Sequence, residues 1–335
     1  MNVLVTGGLG YIGSHTVVSL IEHNHKVVIV DNLVNSSEEV LKALNTLTDQ
    51  TLAFYPIDVR DEVALNEVFK NHTLDAIIHF AAYKAVGESV AKPLKYYDNN
   101  LRSLISVLHL AEVYQIKKII FSSSCTVYGN QPSPLKESLP LLPPMNPYGA
   151  TKQMGERILA DFIRQNDVMQ GVILRYFNPI GAHPSGLIGE GPQEIPNNLM
   201  PYVLDVALKN KPYVSIFGKD YPTPDGTAIR DYIHVMDLAH AHVLAMEKSV
   251  ETLDIMNVGT GQGYSVLDIV EGFKRVNQVE VPYQFTARRA GDLAITYADP
   301  EECYRKIGFK TSCTLDDMLR DCWNFAQCSL VKETT

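Results

Sequence analysis

The chain has 335 residues, 46% hydrophobic and 20% charged, close to globular averages, so it is neither disordered nor fibrous. A net charge of −9 with no basic block sets nucleic acid aside as the main partner. The length fits about two domains, and no apolar run approaches the ~18 residues of a membrane helix.

In chain order, Val3–Thr6, Val27–Val30, Leu52–Ile57, Ala76–Phe80, Lys118–Ser122 and Gly171–Tyr176 are short apolar runs that predict strands. Amphipathic stretches such as Ser14–His23, Asn99–Tyr114 and Tyr148–Gln165 lie between them and predict helices. Apolar runs alternating with helices mean buried parallel strands joined by crossovers, hence a Rossmann-like, doubly wound α/β sheet. After Asn178 the rhythm stops. Pro179, Pro184, Pro192 and Pro196 stand among glycines, and long ordered loops in enzymes commonly carry function. We expect residues 1–177 to form one domain and residues 178–335 a smaller α/β domain over the sheet's carboxyl edge. Residues 230–245 are a candidate for return to the first domain.

Met1–Thr6 has no basic stretch and no long apolar region, so it reads as a strand and not as a signal peptide. The five cysteines, Cys125, Cys303, Cys313, Cys322 and Cys328, form no C-x-x-C pair. A reducing, cytoplasmic compartment is expected, with the thiols as packing or surface groups.

Gly7, Gly10 and Gly13 are spaced G-x-x-G-x-x-G directly after the first strand, where a helix opens. Glycine permits a tight turn and close backbone approach to a pyrophosphate. The helix N-terminus adds free N–H groups and the positive end of a dipole. Asp31 follows the second strand, about 20 residues on, where a carboxylate accepts hydrogen bonds from a ribose 2′-hydroxyl and repels a 2′-phosphate. That choice selects NAD over NADP; a plain turn aspartate is the alternative. Asp58 follows the third strand in the same manner, at the expected adenine edge.

Tyr148 and Lys152 form Y-x-x-x-K. Asn146 suits an N-cap and Pro147 the first helical position, so both side chains lie one turn apart on one helix face. A nearby ammonium and a cationic nicotinamide ring favour the phenolate. A tyrosine so tuned can take a proton from a sugar hydroxyl. Ser124, at the end of the fifth strand, can donate to the same oxygen.

These motifs resemble the extended short-chain dehydrogenase/reductase family and, within it, the UDP-sugar 4-epimerases. The resemblance covers about residues 1–325. It rests on Val5–His15, Asp31–Leu33, Lys84–Ser89, Tyr96–Asn100, Ser122–Gly129, Arg175–Asn178, Ile195–Pro201 and Arg230–Asp237. It implies that NAD stays bound while UDP-galactose and UDP-glucose interconvert. Tyr148 would take the proton of the C4 hydroxyl as hydride leaves C4. A transient 4-keto sugar would then turn over while UDP stays anchored, and hydride would return to its other face. Lys152 is expected to hold the nicotinamide ribose and depress the Tyr148 pKa, and Ser124 to steady the C4 oxygen.

By the same resemblance Tyr11, Ile12, Asn32, Asn35, Ser36, Asp58, Val59, Phe80, Ala81, Lys84, Asn99 and Phe177 match NAD contacts. Asn178, Asn198, Leu199, Phe217, Arg230, Arg289 and Asp292 match contacts to the UDP-sugar. Without the family, Arg230 and Arg289 read as surface ion pairs and Phe217 as core. A homodimer through the helices near 100–114 and 150–165 is implied as well.

One position departs from the pattern. Family members restricted to unacetylated sugars resemble one another in having tyrosine where this chain has Thr296. The smaller side chain implies room for N-acetylated sugars, hence turnover of UDP-GlcNAc and UDP-GalNAc as well. The alternative is that Tyr297 fills that space. Cys125, next to Ser124, is either a reactive thiol or a small filler. Dehydratases of this fold resemble one another in an Asp-Glu pair just after the serine. Here Cys125-Thr126-Val127 stands there. A non-catalytic NAD sensor would not require Tyr148 and Lys152.

Overall fold

The computed structural model describes residues 1–191, 198–289 and 291–333. In chain order the first half runs β1 (Asn2–Thr6), α1 (Tyr11–Glu22), β2 (Lys26–Val30), α2 (Glu38–Thr48), β3 (Ala53–Tyr55), α3 (Glu62–Asn71) and β4 (Ala76–His79). It continues with α4 (Val86–Ala91), α5 (Pro93–Val113), β5 (Lys118–Ser124), a 3-10 turn (Cys125–Tyr128), α6 (Pro147–Arg164) and β6 (Gln170–Tyr176). The remainder comprises β7 (Asn178–Ile180), α7 (Leu199–Ala207), β8 (Val214–Phe217), β9 (Ile229–His234), α8 (Val235–Lys248) and β10 (Leu253–Val258). Last come β11 (Gly263–Ser265), α9 (Val266–Asn277), β12 (Tyr283–Thr286), β13 (Ile295–Thr296), α10 (Glu301–Ile307) and α11 (Leu315–Glu333). All six strands read from the sequence are present, the third shortened to three residues. Of the proline-rich stretch, Pro192 and Ile195–Asn197 lie outside the described residues.

Seven parallel strands form the main sheet in the order β10-β6-β5-β4-β1-β2-β3. The chain winds outward from β1 to β3, then crosses to β4 and winds the other way. The loops after β1 and β4 therefore diverge and open a crevice at the carboxyl ends of the strands. Side chains alternate across the pleat. Val3 and Val5 pack with α1 and α8, whereas Leu4 packs with α3, α5 and α6. All three are fully buried, and each such side chain contributes about 1.5–3 kcal/mol. Burial on both faces is why these strands read as unbroken apolar runs.

The chain returns to this layer late. α8 packs on α1, and β10 pairs with β6 from Leu253 opposite Gly171 to Val258 opposite Tyr176. The other elements of the second half form a small sheet, in which β9 is flanked by β11, β13 and β7, and a β8–β12 pair. α7, α9 and α11 pack there around Val203, Phe273 and Leu319.

Candidate active site

The crevice begins with the loop between β1 and α1. Gly7 has φ +70°, and a Cβ there would lie 2.8 Å from the backbone nitrogen of Ala81. At Gly13 a Cβ would lie 2.2 Å from the carbonyl oxygen of Gly7. Both positions demand glycine. Gly10 precedes α1 and supplies no side-chain cap. The first-turn N–H groups of Tyr11, Ile12 and Gly13 are thus left for an anion. These residues line an open cleft. Asn32, Asn35 and Ser36 form one wall, with Asp58 and Val59 beside them. Phe80, Ala81, Lys84 and Asn99 form the other, and Tyr148 and Lys152 close the end.

Asp31 is pinned at the cleft wall. One carboxylate oxygen accepts from the Leu9 amide at 3.0 Å. The other accepts from the Leu33 amide at 2.9 Å and the Ser36 hydroxyl at 2.8 Å. Asp58 accepts two guanidinium bonds from Arg60, at 3.0 and 2.8 Å, which hold its carboxyl down to about 2. A glycine cradle that a Cβ would fill, a helix N-terminus for a diphosphate and a fixed carboxylate for a ribose are what a dinucleotide requires. The residues present fit NAD. Phe177 and Ser124 are not among the residues that line the cleft; the Phe177 side chain is buried with Val127, Tyr128, Leu135 and Ala298.

At the closed end, the Asn146 side chain accepts from the Gly149 amide at 2.8 Å and caps α6, with Pro147 following. This turn brings Tyr148 and Lys152 to one face. Lys152 is buried and donates to the Ser122 carbonyl at 2.5 Å. Its ammonium lies 5.9 Å from the Tyr148 ring centre. Burial lowers the Lys152 pKa to about 7 against the opposing pull of Glu156. Burial likewise pushes Tyr148 up to about 12, and the Ser124 hydroxyl beside it pulls the other way. The protein's own groups hold Tyr148 as a phenol, because desolvation outweighs the one hydroxyl beside it. The Ser124 oxygen accepts from the amide and the hydroxyl of Thr126, at 3.3 and 3.1 Å, which leaves its own O–H to donate. The Cys125 thiol is pushed up to about 12 by burial, so it is no reactive thiolate.

The substrate-side residues converge from the second half. Arg230 on β9 stands opposite Thr296 on β13, and Asn178 on β7 stands opposite Tyr232 on β9. Arg230 donates to the Ile229 carbonyl at 2.7 Å and pairs with Asp292. Its charge reaches Cys125, the residue after Ser124. Phe217 is half-buried at the end of β8, with the Arg289 guanidinium stacked 4.0 Å from its ring centre. Arg289 is exposed, and among the described residues it has no carboxylate partner within ion-pair distance. Asn198 precedes α7, and the half-buried Leu199 packs against the core of the second unit.

A family model described as the NAD dependent epimerase/dehydratase family matches residues 3–259. The chain belongs to this family. A UDP-glucose 4-epimerase of Bacillus subtilis (strain 168) is 51% identical over 328 residues, covering 97% of this chain and 96% of the relative. The crystal structure of UDP-glucose 4-epimerase from Bifidobacterium longum in complex with NAD+ and UDP superposes with a TM-score of 0.95 at 44% identity. It covers 98% of this chain and 99% of that one. The Stenotrophomonas maltophila enzyme, with bound NAD and formylated UDP-arabinopyranose, also gives 0.95 at 43% identity, covering 99% of both chains.

Within this epimerase/dehydratase fold, five residues that shape the site were given no role by the sequence. Arg60 locks Asp58 and reaches Asp98 at 2.7 Å. Thr126 orients Ser124. Glu156 and Arg175 form a buried two-pronged ion pair, at 2.9 and 2.7 Å, one helical turn from Lys152. Glu190 joins Lys84 to Asn198. Arg60 and Thr126 follow predicted site residues by two positions and could have been found by that proximity. Glu156 and Glu190 carry no local signal, while Arg175 opens one of the motifs that carry the family resemblance. No carboxylate follows Ser124 in the 3-10 turn, unlike the pattern expected of a dehydratase.

Proposed function

We propose that this protein is a UDP-hexose 4-epimerase, interconverting UDP-galactose and UDP-glucose and also UDP-GlcNAc and UDP-GalNAc. The observation that carries the reading is Tyr148 lining a cleft that fits NAD, with the Ser124 hydroxyl beside it and no carboxylate in the turn that follows. Bound NAD supplies a hydride acceptor and donor. The chain's own task is then to move one proton at the sugar O4 and to hold the nucleotide. Tyr148 takes and returns that proton, and the Ser124 hydroxyl donates to the same oxygen. Lys152, fixed by Ser122, holds the nicotinamide ribose. Tyr148 is a phenol in a buried site, so its activation requires positive charge brought by the oxidised cofactor. Arg230 and Arg289 suit a diphosphate, whose oxygens match guanidinium forks.

The wider specificity rests on β13. Thr296 ends β13, and Tyr297 follows it outside the strand. Thr296 is buried in register with Arg230, while the Tyr297 ring lies near Gly263 on the β11 side. That arrangement supports room beside the sugar. The test is turnover of UDP-galactose and of UDP-GlcNAc without added NAD, resolved by anion-exchange chromatography. Thr296→Tyr is expected to abolish UDP-GlcNAc turnover while sparing UDP-galactose; unchanged UDP-GlcNAc turnover refutes the wider specificity.

A homodimer fits the exposed apolar side chains Ile105 and Val113 on α5 and Met154 on α6, and sedimentation at twice the chain mass is the check. Five free thiols suit the reducing cytoplasm. No described helix is long and apolar enough to cross a membrane.

A further inference from the structure

The segment after β7 carries a carboxylate that neither the proton transfer nor the matched contacts account for. The Glu190 side chain is 11% exposed. Its Oε1 accepts from the Lys84 ammonium at 3.0 Å and from the Asn198 side-chain amide at 2.7 Å. Its Oε2 is buried and has no hydrogen-bond partner among the described residues. Lys84 belongs to the wall of the dinucleotide cleft. Asn198 stands at the start of α7, on the substrate side. One oxygen atom therefore joins a cofactor-side group to a substrate-side group 106 and 8 residues away from it in sequence.

Helix capping does not explain Asn198. An N-cap side chain ordinarily accepts from the amide two or three positions on, but the third residue of α7 is Pro201, which has no N–H. No cap bond forms, and the amide turns to Glu190 instead. Nor does the ion pair alone explain Glu190. The Lys84 side chain is 48% exposed, and such a pair contributes little by itself. Burying a carboxylate with one oxygen unpartnered is unfavourable, so the geometry kept at that cost is the shared acceptor. Close by, the Tyr11 hydroxyl donates to the Gly181 carbonyl at 2.7 Å, a second tie from the nucleotide loop to the same segment.

We propose that Glu190 is a positioning residue that seats Asn198 for the UDP-sugar and registers it against Lys84 at the dinucleotide cleft. The proposal rests on the UDP-hexose reading above. It makes affinity for the sugar nucleotide depend on a carboxylate that acts through Asn198.

The test is calorimetric binding of UDP-glucose to the holoenzyme and to Glu190→Ala, Asn198→Ala and the double variant, each with its thermal midpoint and steady-state kinetics. Glu190→Ala is expected to raise the Kd about tenfold, as for loss of a charge-assisted hydrogen bond. kcat should stay within about twofold, the mark of lost binding rather than lost chemistry. The double variant should bind no more weakly than the weaker single variant, because both remove one interaction. Glu190→Gln keeps the acceptor for Asn198 and is expected to lose less. A merely structural role would lower the midpoint and leave the Kd of the folded protein unchanged. An unchanged Kd in Glu190→Ala, or additive losses in the double variant, overturns the proposal. If Glu190→Ala does not fold, Glu190→Asp, which withdraws the oxygen by one methylene, takes its place under the same criteria. Wild-type protein that fails to bind UDP-glucose overturns the parent reading together with this one. Wild-type binding with indifferent variants overturns this one alone.

Discussion

Replacing Glu156 tests whether its buried pair with Arg175 holds the turn carrying Tyr148 and Lys152 in place. The Glu156 and Arg175 side chains are 6% and 3% exposed. The guanidinium grips both carboxylate oxygens, and the Ser123 hydroxyl donates to one of them at 2.5 Å. Ser123 lies between Ser122, which holds Lys152, and Ser124. Glu156→Leu leaves a buried guanidinium and a hydroxyl without their acceptor, a loss of about 3–5 kcal/mol. At about 2.1 cal/mol/K per residue, 335 residues give an unfolding entropy of about 0.7 kcal/mol/K, so the midpoint should fall by about 4–7 °C. Scanning calorimetry of holoenzyme at neutral pH reads this directly. Glu156→Leu/Arg175→Met removes both charges and should recover most of the loss. A drop below about 1.5 °C, or a double variant no more stable than the single one, refutes the reasoning.

Three further outcomes are expected. Tyr148→Phe should lower kcat for UDP-galactose by about 10²–10⁴ with NAD still bound; a loss under tenfold would remove Tyr148 from proton transfer. Lys152 has a folded pKa of about 7 and an unfolded one of about 10.4. Between those values the unfolded chain binds more protons, so this group makes stability rise with pH from about 7 upward. The urea midpoint of wild type relative to Lys152→Met should climb from pH 7 to 9, and a constant difference would contradict the burial argument. Asp31→Ala removes the acceptor of two amides and the Ser36 hydroxyl, so NAD released on denaturing the purified protein should fall well below one per chain; full retention would dismiss Asp31 as a cofactor anchor.

The first half of the fold and the core of the site were legible because both are written locally. Strands buried on both faces leave continuous apolar runs. The glycine spacing, Asp31 and the Tyr148–Lys152 turn are short-range patterns whose chemistry depends on neighbours in sequence. β10 was not legible. Asp254 and Asn257 interrupt its apolar run, yet both are buried. Lys306 pairs with Asp254 at 2.6 Å, and Tyr128 donates to Asn257 at 2.7 Å. Those partners come from distant segments, so the run reads as polar until the chain has folded.

The same division separates what this chain's sequence determined from what only its tertiary structure decided. By itself the sequence determined the sheet of the first half, the dinucleotide loop and the Tyr148–Lys152 pair on one helix face. The tertiary structure decided the protonation of that pair, because desolvation depends on what packs around it rather than on spacing. It also decided which groups face one another: Thr296 against Arg230 across two strands, and Lys84 with Asn198 on a single oxygen of Glu190. Such contacts close loops of tens of residues and leave no period in the sequence.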